Sequence, residues 1–314
     1  MMYKITDKEI GQRLDMFVAA SQPEHSRSQW QKRIDDGVVL VNGVVKSSHY
    51  KLKLDDEVVI VSPSSAAKAS SDKKSKDEVV KTLPKIKVLF ECNDYVVVDK
   101  PAGLVVHGTK TSTEVTLVDW LVANYPKIKK VGDDPLRPGI VHRLDKAVSG
   151  VMVVALNNKT FKSLKAQFQA RTVEKKYQGL VYGKVIKDEG VIDFALERSS
   201  AGHKMAAKPK SQGGKEAITE FKVLQRLINY TLLELVIKTG RTHQIRAHMA
   251  AFNHQLVGDD WYATVMTKSK NKKLSLGRVF LVATNLAFDN LEGERVKYKI
   301  TLPTGLKKVL EMLK

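Results

Sequence analysis

One stretch of this 314-residue chain limits its folding more than any other. Residues 63–82, PSSAAKASSDKKSKDEVVKT, hold five Ser and five Lys with very little apolar content. Such a segment cannot bury enough surface to offset the entropy of ordering it, so residues 63–84 read as a flexible linker. The chain must then fold as two bodies: a module of residues 1–62 and a domain of residues 85–314 with a core of its own. Charge divides at the same place. The module carries 9 Lys and Arg against 9 Asp and Glu, the domain 39 against 22, so 17 of the overall +19 belong to the domain. That excess favours a polyanionic partner, most often nucleic acid.

The rest of the composition narrows the setting. Hydrophobic residues are 43% and charged residues 28%, the balance of an ordinary globular chain. No apolar run approaches the ~20 residues of a membrane helix, and the start, MMYKITDKEI, lacks a signal-type apolar region. A single cysteine, Cys92, excludes an internal disulfide framework and a cysteine-based zinc site. A cytoplasmic protein without membrane contact is the expectation.

In the module, Leu14, Phe17 and Val18 share one face of a helix over Arg13–Ala20. A second helix starts at the Ser26/Gln29 capping box, buries Trp30 and Ile34, and stops at Gly37. VVLV, Asn42-Gly43 and VV then read as a tight hairpin, followed by the strand EVVIV. Arg27, Lys32 and Arg33 are read as a solvent face of the second helix, a candidate RNA contact. In the domain, seven segments have strand composition: Tyr95–Val98, Val151–Leu156, Tyr177–Val185, Ala217–Leu224, Thr231–Ile237, Val279–Phe288 and Val296–Thr301. Helices are expected between Asn157 and Arg171, after Gly240, and from a Thr304 cap to the end. Strands outnumber helices without regular alternation. The fold class is therefore α+β, a mixed, mostly antiparallel sheet flanked by helices, plus the small N-terminal α/β module.

The usual enzyme signatures are missing. Around Gly214-Lys215 the next residue is Glu216 and the first glycine position of a phosphate loop is Pro209. There is no GxGxxG and no Gly-x-Ser-x-Gly elbow. His243 and His248 lie five apart, about 500° around a helix, and make poor partners for one metal. Neither a metal nor a cofactor is expected.

Two polar clusters stand out. In RPGIVHRLDKAVSG, residues 137–150, Asp145 sits among His142, Arg143 and Lys146 just before the apolar run VMVVAL. Neighbouring cations favour the carboxylate form, and an ionised carboxylate at a strand edge can serve as nucleophile or base. In KTGRTHQIRAHM, residues 238–249, a strand ends, turns at Gly240 and opens a helix. Arg241 lies at its N-terminus, where free N–H groups favour an anion, and Arg246 can pair bidentately with a carboxylate or a phosphate. Two further stretches, 198–215 with Lys204, Lys208 and Lys210, and 268–278 with Lys270, Lys272 and Lys273, read as basic loops that suit RNA phosphates.

Together, HRLDK followed by SG and a hydrophobic strand, then GRTHQIRAHM about 100 residues later, resemble the large-subunit rRNA pseudouridine synthases of the RluA type, in the RluD/RluC-like branch. DKPAGLVVH at 99–107 and Lys175-Lys176-Tyr177 resemble two further segments of that family. The module resembles the RNA-binding module shared with ribosomal protein S-four. The chain departs from the family pattern at Val148, where relatives commonly carry Thr, and at Leu281-Val282-Ala283, where they carry Leu-His-Ala.

The resemblance implies a pseudouridine synthase fold and a cofactor-free isomerisation of uridine, with Asp145 as attacking carboxylate. It implies that Arg246 pairs with Asp145, that Tyr177 stacks on the base and helps remove the ring proton, and that Arg143 fills the space left by a flipped nucleotide. His142, Arg143 and Arg241, with Arg27, Lys32 and Arg33 of the module, are the expected RNA contacts. The expected partner is large-subunit ribosomal RNA or a pre-ribosomal particle. The alternatives are a pseudouridine synthase acting on tRNA and a non-catalytic RNA-binding assembly factor.

Overall fold

The computed structural model describes residues 2–61, 83–108, 114–199, 202 and 204–313. The chain forms two compact units, Met1–Val80 and Lys81–Lys314. The stretch expected to be a linker lies, over residues 63–82, outside the described residues.

The first unit runs β1 (Met2–Lys4), α1 (Leu14–Ser21), α2 (Arg27–Asp35), β2 (Val39–Val41), β3 (Val44–Val45) and β4 (Glu57–Ile60). Its strands form one antiparallel sheet in the order β1-β4-β2-β3. Leu14, Phe17, Val18, Trp30 and Ile34 are buried together, as the helical spacing predicts. The capping box is present: Ser26 Oγ accepts the Gln29 N–H and Gln29 Oε1 accepts the Ser26 N–H. Asn42 and Gly43 take φ of 52° and 74°, the paired left-handed residues of a hairpin turn whose twist matches its strands.

In the second unit the chain continues through β5 (Lys87–Glu91), β6 (Tyr95–Lys100), α3 (Leu117–Asn124), β7 (Ser149–Ala155), α4 (Asn158–Gln169) and β8 (Glu174–Tyr182). Then follow β9 (Glu189–Ile192), β10 (Ala195–Arg198), β11 (Met205–Lys208), β12 (Thr219–Arg226), β13 (Tyr230–Ile237) and α5 (Gln244–Ala251). Last come α6 (Val265–Leu274), β14 (Leu281–Asp289), β15 (Arg295–Lys299) and α7 (Thr304–Met312). A nine-stranded sheet has the order β5-β6-β7-β14-β8-β13-β12-β9, with β15 on β14. Among the described strands of this sheet, only the β7–β14 pairing is parallel. The α+β expectation holds, with a mixed and largely antiparallel sheet.

Three readings are corrected. Residues 265–274 form a helix rather than a basic loop, because Thr264 caps it by accepting the Thr267 N–H. The 198–215 stretch carries the end of β10 and all of β11, which pair as a hairpin, and acids from flanking residues pair two of its cations: Lys208 with Glu197 at 3.1 Å and Lys210 with Asp193 at 2.6 Å. At the C-terminus, Pro303 rather than Thr304 takes the cap position.

The sheet register places the site. Every residue of β7, SGVMVVA, is buried, as befits a central strand covered on both faces. One row crosses four strands: Gly150 of β7 opposite Ala283 of β14, Ala283 opposite Tyr177 of β8, and Tyr177 opposite Leu235 of β13. Gly150 has φ of 134°, and a Cβ there would run into the Ala283 carbonyl oxygen. Only glycine lets the chain enter the central sheet at this point, and the turn just before it carries Asp145.

Candidate active site

Asp145 sits in the turn between Ile140 and β7. Its backbone carbonyl accepts the Val148 N–H at 3.1 Å, and the next carbonyl, of Lys146, accepts the Gly103 N–H at 2.7 Å. The turn is thus tied to the segment after β6. The Asp145 side chain is 18% exposed and opens into a narrow cleft with Arg143, Val148, Tyr177, His243 and Arg246. Of the two departures from the family pattern, only Val148 faces this cleft. Val282 is fully buried in a separate cluster with Leu180 and Phe280.

The cations adjacent to Asp145 in sequence do not pair with it. Lys146 Nζ binds Glu114 at 2.8 Å, and Arg143 Nη1 lies 3.4 Å from His107 Nε2. The contacts come from α5 instead: Arg246 Nη1 at 3.5 Å and His243 Nε2 at 4.0 Å from Asp145 Oδ2. The bidentate partner of Arg246 is a different carboxylate. Arg246 Nε and Nη2 donate to Asp259 Oδ2 and Oδ1 at 2.7 and 2.8 Å, and both side chains are buried. Burial opposes the Arg246 charge, but the Asp259 hydrogen bonds, with Asp145 beyond them, hold its pKa above the ordinary value. Trp261 and Tyr262 lie within 5.4 and 5.2 Å of the guanidinium carbon, close enough for cation–π contact. Arg246 is therefore a rigid cation whose remaining nitrogen faces Asp145.

His243 precedes α5 with a left-handed φ of 53°, and its Nδ1 lies 3.1 Å from the Tyr262 hydroxyl. Burial lowers its pKa despite the nearby Asp145. His248 is fully buried between Thr219 Oγ1 and the Phe194 carbonyl, a satisfied core histidine rather than a ligand. Tyr177 is 7% exposed. Burial first, and Asp145 second, push its hydroxyl well above the usual phenol range.

The expected RNA contacts divide by environment. Arg143 and Arg241 are exposed at the cleft, and the Arg241 Nε also donates to the Glu216 carbonyl at 3.1 Å. His142 is no cation: burial, with Lys175 adding to it, pushes its pKa down to about 3. Its ring stacks on Phe168 with centroids 4.7 Å apart, and its Nε2 accepts the Val153 N–H. In the first unit the three basic residues of α2 do not share one face. At about 100° per residue, Lys32 and Arg33 lie roughly 140° and 240° from Arg27. Arg27 bonds Asp15 of α1 at 3.1 Å, Arg33 lies over the Trp30 ring, and Lys32 is exposed.

Asp259, which holds Arg246, escapes a reading by clusters because it lies 13 residues downstream with no basic neighbour in sequence. Lys100 escapes as well. It is fully buried, donates to the carbonyls of Pro101 and Leu104 at 2.9 and 2.8 Å, and burial pushes its pKa down to about 7 against the pull of Asp145. A lysine closing an apolar strand was the available signal. Among the described residues no group of three or more His, Cys, Asp or Glu could hold a metal ion, and no helix is long and apolar enough to cross a membrane.

The family model for RNA pseudouridylate synthase matches residues 94–251, which contain Asp145, Tyr177 and Arg246, and the S4 domain model matches residues 12–58. An uncharacterised RNA pseudouridine synthase of Aquifex aeolicus is 38% identical over 99% of this chain and 96% of its own length. Ribosomal large subunit pseudouridine synthase D of Neisseria meningitidis serogroup B is 34% identical over 97% of this chain and 79% of its own. Human RNA pseudouridylate synthase domain containing 4 superposes with a TM-score of 0.57 at 27% identity, covering 72% of this chain and 92% of that one. A carboxylate turn set against a buried arginine on a mixed sheet, matched over nearly the whole chain by such relatives, places this protein in the RNA pseudouridine synthase family, as an enzyme with an S4 domain at its N-terminus.

Proposed function

We propose that this enzyme isomerises uridines in a stem-loop of large-subunit ribosomal RNA, with Asp145 as nucleophile and no cofactor. The observation that carries the chemistry is Asp145 Oδ2 facing the free nitrogen of an arginine held rigid by Asp259. Isomerisation breaks the N1–C1′ bond of uridine, forms C5–C1′, and exchanges the C5 proton for one taken up at N1, so atoms balance and no electrons enter or leave. Attack on the uracil ring and assistance at the anomeric carbon both need an ionised carboxylate oxygen against the nucleoside. Arg246 supplies a fixed positive charge there without reorganising during reaction.

Tyr177 takes the role of a stacking face and hydrogen-bond donor for the ring. Burial holds it as a phenol in the free enzyme, so a part in removing the ring proton starts from the protonated hydroxyl. Arg143, exposed at the cleft mouth, is placed to enter the space a flipped nucleotide leaves, and flipping costs about a few kcal/mol. Arg241 and the exposed Lys32 serve as phosphate contacts, and the pre-ribosomal particle in the cytoplasm is the natural setting for such a substrate.

The rRNA assignment is supported by the large-subunit enzymes among the relatives, such as that of Neisseria meningitidis, and by the S4 domain. The test is to incubate the purified enzyme with unmodified large-subunit rRNA, small-subunit rRNA and bulk tRNA, and to map the pseudouridines. Sites clustered in one loop of large-subunit rRNA are expected. If tRNA is modified and the rRNA stays blank, the substrate assignment fails and the chemistry stands.

A further inference from the structure

Beside the Asp145 cleft lies a larger one of about 440 Å³, and the two share Arg143, Tyr177 and Arg241. Its lining includes Arg137, Arg143, Arg171, Lys175, Lys238 and Arg241, and no carboxylate. Three of these six cations are neutralised from outside the cleft. Arg137 bonds Asp134 at 3.0 Å, Arg171 bonds Glu216 at 2.7 Å, and Lys238 bonds Glu220 at 3.2 Å.

Lys175 differs from all of them. It stands on β8 two residues before Tyr177, so both side chains leave the strand on the same face. It is only 8% exposed, yet among the described residues its ammonium makes no hydrogen bond and no ion pair. The face of Phe168 lies 5.5 Å away, the other ring stacked on Phe168 is the uncharged His142, and the nearest charge that acts on it is the like charge of Arg171. Lys100, the other buried lysine of the domain near the site, has two carbonyls for its ammonium; Lys175 has none. Its ammonium opens only onto the cleft; a largely desolvated ammonium without a counter-ion is costly, and an anion entering the cleft offsets that cost.

We infer that Lys175 is the floor of a phosphate subsite in this cleft, taking the phosphodiester of a nucleotide next to the target uridine. The identity of the ligand rests on the RNA-modifying reading above; the subsite itself rests on the unpaired cation and the acid-free lining. Arg143 and Arg241 form the rim between this subsite and Asp145, so an anchored phosphate fixes how far the flipped nucleotide reaches toward the carboxylate. Burial lowers the pKa of Lys175 to about 8, which a bound phosphate would reverse.

The test uses the full chain and stem-loop RNAs that each carry one uncharged methylphosphonate linkage near the target uridine. Affinity is read by fluorescence anisotropy, which needs no turnover, and kcat/KM is read alongside. For the wild type, one linkage should weaken binding roughly tenfold, in line with a lost charge-assisted contact. Lys175→Met should bind the all-phosphate RNA more weakly by a similar factor and be indifferent to that linkage. Lys175→Arg should recover part of the loss, and the logarithmic salt slope of Lys175→Met should fall by about one. Equal linkage sensitivity in wild type and Lys175→Met would overturn the subsite. So would a wild type that responds to no linkage, a result that requires no variant to fold. A wild type that binds with the expected linkage pattern but forms no pseudouridine leaves the subsite standing and refutes the parent reading instead.

Discussion

Arg246 serves two carboxylates, and replacing it should separate stability from catalysis. Its Nε and Nη2 are committed to Asp259 at 2.7 and 2.8 Å in a buried pair, while Asp145 receives only Nη1 at 3.5 Å and is itself partly exposed. Removing one member of a buried ion pair leaves the other charge uncompensated and typically costs about 3–5 kcal/mol. In Arg246→Met, Asp259 keeps only the N–H groups of Trp261 and Tyr262 at 3.2 and 3.3 Å, so the cost should fall in that range. For a domain of this size each kcal/mol shifts Tm by about 2–4 °C, giving a fall of roughly 6–20 °C in the transition of the large unit by calorimetry. The double variant Arg246→Met/Asp259→Leu should regain most of that fall, because no charge is then stranded, yet stay inactive. Asp145→Asn should move the same transition by no more than about 2 °C, since it removes one long, partly solvated contact. If Arg246→Met shifts Tm no more than Asp145→Asn does, the reasoning is refuted: Asp259 would not be what holds the arginine.

Asp145→Asn should bind RNA like the wild type and form no pseudouridine in single turnover; turnover near the wild-type rate would remove it as nucleophile. Lys100 has a folded pKa of about 7 against 10.5 when free, so the unfolded chain binds the extra proton between those values and stability should rise with pH across that window. Lys100→Met should flatten this rise when urea midpoints of the two proteins are compared between pH 7 and 10. Arg27→Ala should destabilise the N-terminal unit through the buried Asp15 carboxylate, whereas Lys32→Ala should leave its melting unchanged and weaken RNA binding at low salt. A Lys32→Ala variant with wild-type affinity and salt slope would exclude that residue from the interface.

Much of this protein is legible from local pattern alone. Period-3.6 burial marks α1 and α2, the Ser26/Gln29 and Asn42-Gly43 signals place a cap and a turn, and the unbroken apolar run VMVVA announces a central strand. Each depends on residues within about eight positions of one another, so the sequence itself contains the whole interaction. α3 and the edge strand β5 went unread because they are only eight and five residues long and their stability comes from neighbours in the core. Asp145, Tyr177 and Arg246 were singled out by motif, but what each touches was not.

Tertiary structure decided the pairings. Lys146 and Arg143, adjacent to Asp145 in the chain, point to Glu114 and His107, while the charge facing it comes from a residue 101 positions away that a third segment, at Asp259, holds in place. Arg27, an expected RNA contact, is also a partner of the buried Asp15, and Lys175 is a largely buried cation without an anion. The reason is physical. A charge in water is indifferent to its neighbours in sequence, and only burial makes its surroundings matter enough to choose a partner. Burial is set where distant strands meet, here in the row joining Gly150, Ala283, Tyr177 and Leu235, and no local stretch of sequence contains it.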